Sequence, residues 1–357
     1  MRDGDGVWFL VRRLSVIKRP YTGRDSLAEL TGTINYELIT KSYIHVGSGR
    51  AVLGVSKELV NTTSKAITLE EALRNIKSLR SSVSTTCLEL VRYGDKVCIP
   101  GSSIKGIVRS RLELLSSPTN NEVESCFRVV ASPPMLNPPP SGSQGWRHAR
   151  IWWDAPSQDR VSSCDPLSTG DYSLCVICNI FGAPGVASRV FFGNACTEGK
   201  VRILTEVLDH GECLELIPPN TMFLGEFSFT NLKPEELGLV LIGMGAKSDG
   251  SFTEILLGKS KYRLRETPSG TKVELGRAVF RLRRIELRDY SISKYSLDSG
   301  LTRLLSKCLK SEYSLRCEDD ALNDLIKELV RRTLNTFKTF SKAESFSEVR
   351  RKLELGS

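Results

Sequence analysis

Hydrophobic and polar positions alternate along several short stretches of the chain, and this two-residue period predicts strands. The clearest stretch is 33–40, where Ile34, Tyr36 and Leu38 alternate with polar residues at the neighbouring positions. Further strands are predicted at 43–50, 96–100, 188–192, 201–208, 222–229 and 277–282. Such alternation is typical of sheet strands that bury one face and expose the other.

Apolar residues recur every three or four positions in other stretches, and this period predicts helices. The stretches with this period are 69–79, 104–115, 234–244 and 322–337. The second of them follows a glycine turn, where Ser102 or Ser103 is expected to cap the helix N-terminus. Because strands and helices mix without a fixed repeat, an α+β fold is favoured over a doubly wound sheet.

The order of these elements divides the chain into an arm, a core and an extension. Residues 1–30 are a basic N-terminal arm, 31–294 are the core, and 295–357 are a C-terminal helical extension. A stretch at about 117–180, rich in Pro, Ser and Gly, is predicted to be an insertion in the core. The apolar stripe of the 322–337 helix requires burial, either on this chain's own sheet or on a neighbouring subunit.

The charge balance of the chain is basic. Among 357 residues, 50 Lys and Arg outnumber 41 Asp and Glu, which gives a net charge of +9. Such an excess favours a polyanionic partner. No apolar run approaches the ~18 residues of a membrane span, and the N-terminal apolar stretch is too short for a secretion signal. We therefore expect a soluble, cytoplasmic protein with no membrane partner.

Ten cysteines are many for a protein that is expected in the cytoplasm. Cys175 and Cys178 have the C-x-x-C spacing of two thiolates that bind one zinc ion, and Cys164 is a natural third ligand. The fourth ligand is either Cys126 or His148, and the pattern does not choose between them. The alternative interpretations of the C-x-x-C motif are a redox pair or buried free thiols. We predict one structural zinc, because a polar insertion cannot form a core of its own.

The other six cysteines lie singly in the sequence and are interpreted as buried free thiols, which behave as small hydrophobic side chains. They are Cys87, Cys98, Cys196, Cys213, Cys308 and Cys317. A disulfide framework is not expected, because the chain has no recognisable secretion signal.

A glycine turn at 99–106 leads into a predicted helix, whose unpaired N-terminal N–H groups suit a phosphate. Lys105 and Arg109 lie one turn apart and add positive charge on one face. An ordinary capped helix is the alternative. The spacing differs from that of the G-x-x-x-x-G-K-[ST] nucleotide-binding loop, so ATP hydrolysis is not expected. The candidate contact residues here are Gly101, Ser102, Ser103, Lys105, Gly106 and Arg109.

Two more turns combine glycine with hydrogen-bond donors and are expected on the same basic surface. They occupy 45–50 and 258–261. Together with Phe181, Gly182 and Arg189, they are interpreted as a surface that follows a phosphodiester backbone. The candidate RNA contacts in the two turns are His45, Gly47, Ser48, Gly49, Arg50, Gly258, Lys259, Ser260 and Lys261.

Taken in order, these motifs resemble the RAMP superfamily. The matching segments are His45-Val-Gly-Ser-Gly, Ile99-Pro-Gly-Ser-Ser-Ile-Lys-Gly, Cys175-x-x-Cys-x-Ile-Phe-Gly and a strand that begins Ser188-Arg-Val. More narrowly, the set resembles the backbone-type subunits of type III (Csm/Cmr-like) CRISPR effector complexes. The resemblance covers about 33–287.

The resemblance implies a modified RNA-recognition domain of the ferredoxin-like type, here with a cysteine-rich zinc-binding insertion. It implies an antiviral ribonucleoprotein in which this chain binds the CRISPR RNA backbone, helps target RNA recognition and contacts other subunits. The 101–106 segment would touch guide phosphates, and the turns at 45–50 and 258–261 would line the same groove.

Two departures from the family pattern favour a non-catalytic subunit. Members that cut target RNA carry an aspartate in the loop after the H-x-G strand, and here Lys57 and Glu58 occupy that region. The hairpin after Thr205-Glu-Val spans only 208–215, which is short for a wedge between guide and target. We therefore expect an RNA-binding subunit that does not cut RNA.

Two enzymatic alternatives remain open. In the first, Glu58 positions Mg²⁺ against the scissile phosphate, and the chain is a metal-dependent endoribonuclease that cleaves target RNA. In the second, His45 is the general base of a metal-free endoribonuclease that processes the guide.

Overall fold

The computed structural model is a mixed α and β protein, in agreement with the predicted mixture of elements. It describes residues 14–25, 27–53, 65–66, 68–78, 86–127, 146–152, 163–267, 270–289 and 298–356. Across these ranges, no helix is both long and apolar enough to cross a membrane.

The strands and helices alternate irregularly along the chain. The strands are β1 (Ser15–Val16), β2 (Arg19–Pro20), β3 (Leu30–Thr40), β4 (Gly47–Leu53), β5 (Thr86–Leu90), β6 (Arg92–Tyr93), β7 (Lys96–Ile99), β8 (Glu122–Val123), β9 (Ser173–Leu174), β10 (Val190–Phe192), β11 (Ala195–Cys196), β12 (Leu204–Leu208), β13 (Glu212–Leu216), β14 (Met222–Leu232), β15 (Ile255–Leu256), β16 (Leu264–Glu266), β17 (Lys272–Glu274), β18 (Arg277–Arg288), β19 (Leu309–Lys310) and β20 (Ser314–Cys317). The helices are α1 (Leu69–Ser78), α2 (Gly101–Leu115), α3 (Trp146–Ile151), α4 (Pro166–Thr169), α5 (Val176–Phe181), α6 (Pro234–Gly243), α7 (Ser299–Leu305), α8 (Asp319–Thr336) and α9 (Glu348–Gly356).

Three long antiparallel strands form the middle of the main sheet. β3 lies between β14 and β18, and Ile34 pairs with Phe227 on one side and Ile285 on the other. The sheet has the order β19-β20-β18-β3-β14-β11-β7-β6, while β10 also pairs with β14 and β15 with β18. Ile34 and Leu38 are fully buried, as the alternating pattern predicts for one face of β3.

Helices α2, α6 and α8 pack side by side. α6 contacts α2 on one side and α8 on the other, while α2 also reaches β10 and α8 reaches β18. Gly238 of α6 allows a close approach, since a Cβ there would lie 2.3 Å from the Leu329 carbonyl oxygen of α8. The residues that α8 buries are Leu322, Leu325, Ile326, Leu329, Val330 and Thr333. The apolar stripe at 322–337 is therefore buried within this chain, which answers the question that the sequence left open.

The last helix joins the core through a buried ion pair. Arg111 Nε of α2 donates to Glu348 Oε1 of α9 at 2.5 Å, and neither side chain is more than 2% exposed. Arg111 also donates to the carbonyl oxygens of Ile242 and Gly243 at the end of α6. Helices from the middle and the end of the chain thus share one interior.

A second sheet has the order β12-β13-β5-β4. β12 and β13 form a hairpin through the turn Asp209–Gly211, so this hairpin is as short as the sequence indicates. β13 and β5 run parallel and share only two residue pairs. The small core of this sheet consists of Leu208, Leu214, Leu216 and Leu275.

Six cysteines form three disulfide bonds, so the expectation of free thiols is wrong for them. The pairs are Cys87–Cys213, Cys98–Cys196 and Cys308–Cys317. In the first two pairs, the partners are register neighbours on β5 and β13 and on β7 and β11. Strand register brings these thiols together, and single cysteines in a sequence do not specify it.

The described part of the N-terminal arm packs along the cysteine-rich insertion. β1 pairs with β8, and β2 pairs with β9. Arg19 donates two hydrogen bonds, of 2.7 and 3.1 Å, to the buried Glu124 carboxylate. The Asn179 side chain of α5 bonds both Thr22 and Arg24. The arm is thereby held at two separate parts of the insertion.

Candidate functional site

Three segments that are far apart in the sequence line one cavity of about 360 Å³. They are the turn before β4, one face of α2 and the loop after β15. The lining residues are His45, Val46, Gly47, Ser103, Gly106, Ile107, Ser110, Leu257, Gly258, Lys259 and Lys261. Each segment contains one of the glycine motifs found in the sequence, and the fold brings the three motifs together.

His45 lies in the wall of this cavity and is 1% exposed. Its Nδ1–H donates to the carbonyl oxygen of Glu215 on β13 at 2.8 Å, which leaves Nε2 as an acceptor. Burial lowers the pKa of His45, so the ring is neutral near pH 7. A Cβ on Gly47 would lie 2.9 Å from Nε2. Glycine at this position therefore makes room for the ring.

The loop after β15 is held against His45 by backbone contacts. The Lys259 N–H donates to the His45 carbonyl oxygen at 2.8 Å. Gly258 has a φ of +92°, and a Cβ there would lie 2.5 Å from the same oxygen. Only glycine combines this backbone conformation with so close an approach. The Lys259 side chain also forms an ion pair with β13, in which Nζ lies 2.7 Å from Glu212 Oε1.

Helix α2 presents a small and open face to the cavity. Ser103, Gly106 and Ser110 line it, and a Cβ on Gly106 would lie more than 4 Å from every described residue outside its own helix turn. Gly101 has the opposite environment, because a Cβ there would lie 1.9 Å from the Phe192 carbonyl oxygen. Gly101 thus allows the start of the helix to pack closely against Phe192, while Gly106 leaves space beside the helix.

The N-terminus of α2 is capped from outside the helix, so the prediction of a Ser102 or Ser103 cap is wrong. The N-cap residue is Pro100, which has no side-chain hydrogen bond. Instead, Asn194 Oδ1 accepts the Gly101 N–H at 2.9 Å. The N–H groups of the third and fourth helical residues both point to the Pro100 carbonyl oxygen. The helix terminus therefore offers a phosphate fewer free donors than the sequence indicates.

A second cavity, of about 410 Å³, shares Gly258, Lys259 and Lys261 with the first. Its charged lining residues are Arg147, Glu212, Lys259, Lys261, Arg263 and Arg265. Because cations outnumber the single carboxylate in this lining, the two cavities together form a basic surface, which we call the basic cavity. A surface of this charge attracts phosphate groups.

Two titratable groups in the basic cavity differ in charge near neutral pH. Burial lowers the pKa of Lys261 to about 8. Burial, with a further contribution from the nearby Lys261, lowers the pKa of His148 to about 4. The His148 ring packs edge-on against Tyr262, with 4.6 Å between the ring centroids. At pH 7, Lys261 is therefore mostly protonated and His148 is neutral.

Several predicted RNA contacts lie outside the first cavity. Ser48, Gly49 and Arg50 are exposed on β4. Ser260 lines only the second cavity. Lys105 lines neither cavity, and burial lowers its pKa, with a smaller effect of the neighbouring Arg109.

Three other predicted RNA contacts lie in the interior, namely Phe181, Gly182 and Arg189, and Arg109 is half-buried. Arg189 is 1% exposed, and its guanidinium donates to both carboxylate oxygens of Glu236 and to two backbone carbonyl oxygens. Such a side chain has little capacity left for a phosphate. Its role in this fold is to tie the end of α5 to the start of α6.

Four buried cysteines form a cluster in which the sulfur atoms all lie within 4.8 Å of one another. The cluster consists of Cys126, Cys164, Cys175 and Cys178. Cys126 Sγ lies 3.4 Å from Cys178 Sγ and 3.6 Å from Cys175 Sγ. A tetrahedral ion with sulfur bonds of ~2.3 Å needs sulfur separations of ~3.8 Å. The cluster can therefore hold one metal ion, and the fourth candidate ligand is Cys126 and not His148.

Backbone donors and one arginine surround the cluster. The Cys175 N–H donates to Cys164 Sγ, and the Cys178 N–H donates to Cys175 Sγ, each at 3.4 Å. Arg109 Nη2 lies 3.3 Å from Cys178 Sγ, and its Nη1 donates to the Gly182 carbonyl oxygen at 2.8 Å. These contacts favour the thiolate forms that bind metals. Arg109 thus faces the cysteine cluster and not the basic cavity.

The cysteine cluster is the one group of three or more His, Cys, Asp or Glu side chains suited to a metal in the part of the chain that the structure describes. Glu58, the candidate magnesium ligand, lies outside the described residues, as does Lys57. The remaining candidate catalytic residue, His45, is buried and fixed by its bond to Glu215.

Sequence reasoning missed several residues that build the basic cavity. Arg147 and Arg263 line it, while Glu212 and Glu215 hold Lys259 and His45 in place. The two glutamates belong to the short hairpin, and no motif marks the two arginines. Their basic or acidic type was the only available signal, and it does not distinguish them from other surface charges.

A match to a family identifies the class of protein. The chain belongs to the RAMP superfamily, whose family match covers residues 37–338. The family predicted from the motifs is thereby confirmed. None of the curated proteins matches the chain.

Two solved structures are similar over most of their length. One is Csc2 of Thermofilum pendens, with 13% identity, a TM-score of 0.36, and coverage of 94% of this chain and 93% of that chain. The other is a chain of the Csm3–Csm4 subcomplex in the type III-A CRISPR–Cas interference complex. It has 16% identity, a TM-score of 0.31, and coverage of 85% of this chain and 97% of that chain.

Proposed function

We propose that this RAMP superfamily protein is a non-catalytic RNA-binding subunit of a type III CRISPR–Cas effector ribonucleoprotein. Its partners would be the CRISPR RNA, the target RNA and other subunits of the complex. The observation that carries the proposal is the convergence of the three glycine motifs on the basic cavity. The sequence alone predicts that each of the three motifs contacts RNA.

The chemistry of the cavity supports binding of the RNA backbone and not of particular bases. Its lining includes the cationic side chains of Arg147, Lys259, Lys261, Arg263 and Arg265, and Ser103 and Ser110 add hydroxyl groups. Such groups contact phosphates and sugars, which are the same in every sequence. Lys259 would exchange its pairing with Glu212 for a phosphate at little cost, because its side chain is 43% exposed.

We infer that the core is a ferredoxin-like domain. Its four strands in chain order are β3, the short pair β10 and β11, β14 and β18. In the sheet these strands have the order fourth, first, third, second. A helix, α2, lies between the first and second strands, and α6 lies between the third and fourth. This βαββαβ order is the ferredoxin-like arrangement.

We also propose that the cysteine cluster holds structural zinc. Four sulfur ligands in one buried group are typical of structural zinc sites, which have no open position for substrate. The ion would supply folding free energy by joining cysteines from separate parts of the insertion.

The RNA proposal can be tested with charge variants of the basic cavity. The Lys259→Gln/Lys261→Gln variant should bind guide RNA more weakly than the parent does. The loss of affinity should be the same for guide RNAs of unrelated sequence. The variant's log–log salt dependence should flatten by about 0.7 for each lost phosphate contact to single-stranded RNA. Fluorescence anisotropy at several salt concentrations measures both effects.

A matched control removes the same charge from a distant hairpin. Lys310 and Arg316 are exposed on β19 and β20 at the edge of the main sheet. The Lys310→Gln/Arg316→Gln variant should keep the affinity and salt slope of the parent. Equal effects of the two double variants would contradict a cavity-specific site. Magnesium-dependent cutting of labelled target RNA by the parent complex, abolished by EDTA, would contradict the non-catalytic assignment.

A further inference from the structure

The Cys87–Cys213 disulfide lies at a narrow joint in the second sheet. β13 and β5 share only two residue pairs, and the two cysteines form one of them. Both cysteines are buried. A parallel ladder of this length contributes few hydrogen bonds, so a covalent bond adds substantially to the connection between the strands.

Strand β13 carries the groups that hold the wall of the basic cavity. The Glu215 carbonyl oxygen accepts the hydrogen bond from His45 Nδ1 at 2.8 Å. The Glu212 carboxylate pairs with Lys259 Nζ at 2.7 Å and with Arg265 Nη1 at 2.9 Å. Cys213 lies between these two glutamates. A shift of β13 would therefore displace both His45 and Lys259.

The other side of the joint is tied to the same strand. The Leu90 N–H at the end of β5 donates to Glu215 Oε2 at 2.8 Å, and Arg92 Nη2 donates to Glu215 Oε1 at 2.8 Å. These contacts fix the far end of β13, while the disulfide fixes its beginning. β13 is thus held at both ends against the segment 87–92.

We propose that Cys87 and Cys213 are positioning residues for the basic cavity, because their disulfide locks β13 in the place that orients His45 and Lys259. The part of this proposal that concerns RNA rests on the function proposed above. The lock itself has measurable consequences in the protein without RNA.

The chemistry of the lock is a two-electron oxidation. Two thiols lose two protons and two electrons as the S–S bond forms, and a small-molecule disulfide accepts them and leaves as two thiols. The cluster of Cys126, Cys164, Cys175 and Cys178 would meet the same oxidant. A metal ion bound by the four sulfurs would keep them out of this exchange. We therefore expect six oxidised and four reduced cysteines in one chain.

The protein offers a second disulfide as a control. Cys87 and Cys213 are 126 residues apart, whereas Cys308 and Cys317 are 9 residues apart at the edge of the main sheet. The second bond joins residues in the β19–β20 region, and neither of its cysteines lines the basic cavity. Removal of the Cys308–Cys317 bond shows what the loss of a disulfide does when β13 keeps its own disulfide.

The first experiment counts the thiols. The protein is denatured without reductant in the presence of a chelator, alkylated and weighed by mass spectrometry, and peptide mapping locates the labels. We expect labels on the four cluster cysteines and an intact Cys87–Cys213 peptide. Alkylation of both Cys87 and Cys213 would overturn the proposal.

The second experiment measures the position of β13 with and without RNA. In the Cys87→Ser/Cys213→Ser variant, we expect faster amide hydrogen exchange in 212–216 and 257–263 and RNA binding weaker by roughly tenfold, or about 1.4 kcal/mol. Cys308→Ser/Cys317→Ser should leave both quantities at the parent value. If the serine variant does not fold, Cys87→Ala/Cys213→Val gives the same comparison with more apolar side chains.

The two readouts separate the lock from the proposed function. Exchange that rises only in the Cys87 and Cys213 variant supports the lock even if the parent binds no RNA, in which case the proposed function fails alone. Parent-like exchange in that variant overturns the lock, whatever the RNA affinity of the parent. Exchange that rises equally in both disulfide variants also overturns it.

Discussion

Glycines shape the basic cavity, and each has its own physical reason. Gly47 leaves room for the His45 ring, and Gly258 allows the loop after β15 to reach the His45 carbonyl oxygen. Gly106 differs, because among the described residues outside its own helix turn no atom lies within 4 Å of a Cβ built there. A glycine inside a helix costs about 0.5–1 kcal/mol relative to alanine. Alanine would therefore fit at this position as far as the described residues are concerned.

The Gly106→Ala variant separates stability from binding. We expect the free energy of unfolding to rise by about 0.5–1 kcal/mol, because alanine loses less backbone entropy in a helix. RNA affinity should fall, because the added methyl group occupies the space next to the phosphodiester backbone. Urea unfolding and RNA titration measure the two effects independently.

Gly199 supplies the control for this variant. It also has open space around its Cβ position, and it lies in a loop that does not line the basic cavity. Gly199→Ala should leave RNA affinity unchanged. A Gly106→Ala protein that binds RNA as tightly as the parent would place the RNA elsewhere.

At the scale of single residues, the sequence indicates which side chains carry the chemistry better than it indicates which atoms they contact. The spacing of Cys164, Cys175 and Cys178 is enough to predict that these three cysteines lie together. The choice of Cys126 depended on the path of the insertion, which local spacing does not determine. Arg189 shows the same limit, because its partner Glu236 is 47 residues away in the sequence. A basic side chain in a motif therefore does not reveal whether it faces solvent or a buried carboxylate.

Among the elements, the N-terminal arm and the cysteine cluster depend on each other. β1 pairs with β8, just before Cys126, and β2 pairs with β9, just before Cys175. The arm thus holds the two chain segments that bring cluster cysteines together. Conversely, a metal ion that joins these cysteines would fix the surface on which the arm packs. Loss of the metal should therefore release the arm.

The Cys175→Ser/Cys178→Ser variant tests this coupling. The parent should contain about one zinc per chain, and the variant should contain almost none, because two of four ligands are lost. Protease cleavage within residues 14–25 should become faster in the variant, since β9 loses its support. Elemental analysis and timed proteolysis give the two results.

The Cys308→Ser/Cys317→Ser variant is again the control, because it removes two cysteines without touching the cluster. It should retain its zinc and a protected arm. A parent protein with far less than one zinc per chain would disprove the metal assignment. An arm that stays protected without zinc would disprove the coupling but not the site.

The sequence predicts the strands and helices best where the hydrophobic pattern is regular over many residues. The alternation in β3 and the helical spacing in α8 gave the correct type and nearly the correct bounds. The disulfides were missed, because they depend on which strands lie side by side. The cap of α2 was missed for a related reason, since Asn194 reaches Gly101 from another part of the sheet.

In the whole molecule, one hydrophobic core extends from Leu30 to Val349. The predicted C-terminal extension shares this core, because α8 packs on α6 and α9 pairs with α2. The sequence showed that α8 has an apolar face, but it did not show which surface covers that face. A helix of another subunit would have produced the same pattern.

Glu348 tests whether the end of the chain is integral to the fold. It neutralises Arg111 inside the protein, where neither side chain is more than 2% exposed. Glu348→Ala leaves the arginine charge buried and uncompensated, which should lower the free energy of unfolding by about 3–5 kcal/mol. The Arg111→Met/Glu348→Leu variant removes both charges and should recover most of this loss. Urea unfolding, followed by fluorescence and circular dichroism, gives the values.

Glu354 provides a comparison on the same helix. It pairs with Arg350 at the surface, where the two side chains are 59% and 82% exposed. Because such pairs are screened by water, Glu354→Ala should change stability by less than about 1 kcal/mol. If the C-terminal helices were an appendage, both glutamate variants would behave alike, and the rest of the chain would unfold at the parent urea concentration. A large loss for Glu348→Ala alone, in a single transition seen by both probes, would show that residues 237 positions apart fold as one unit.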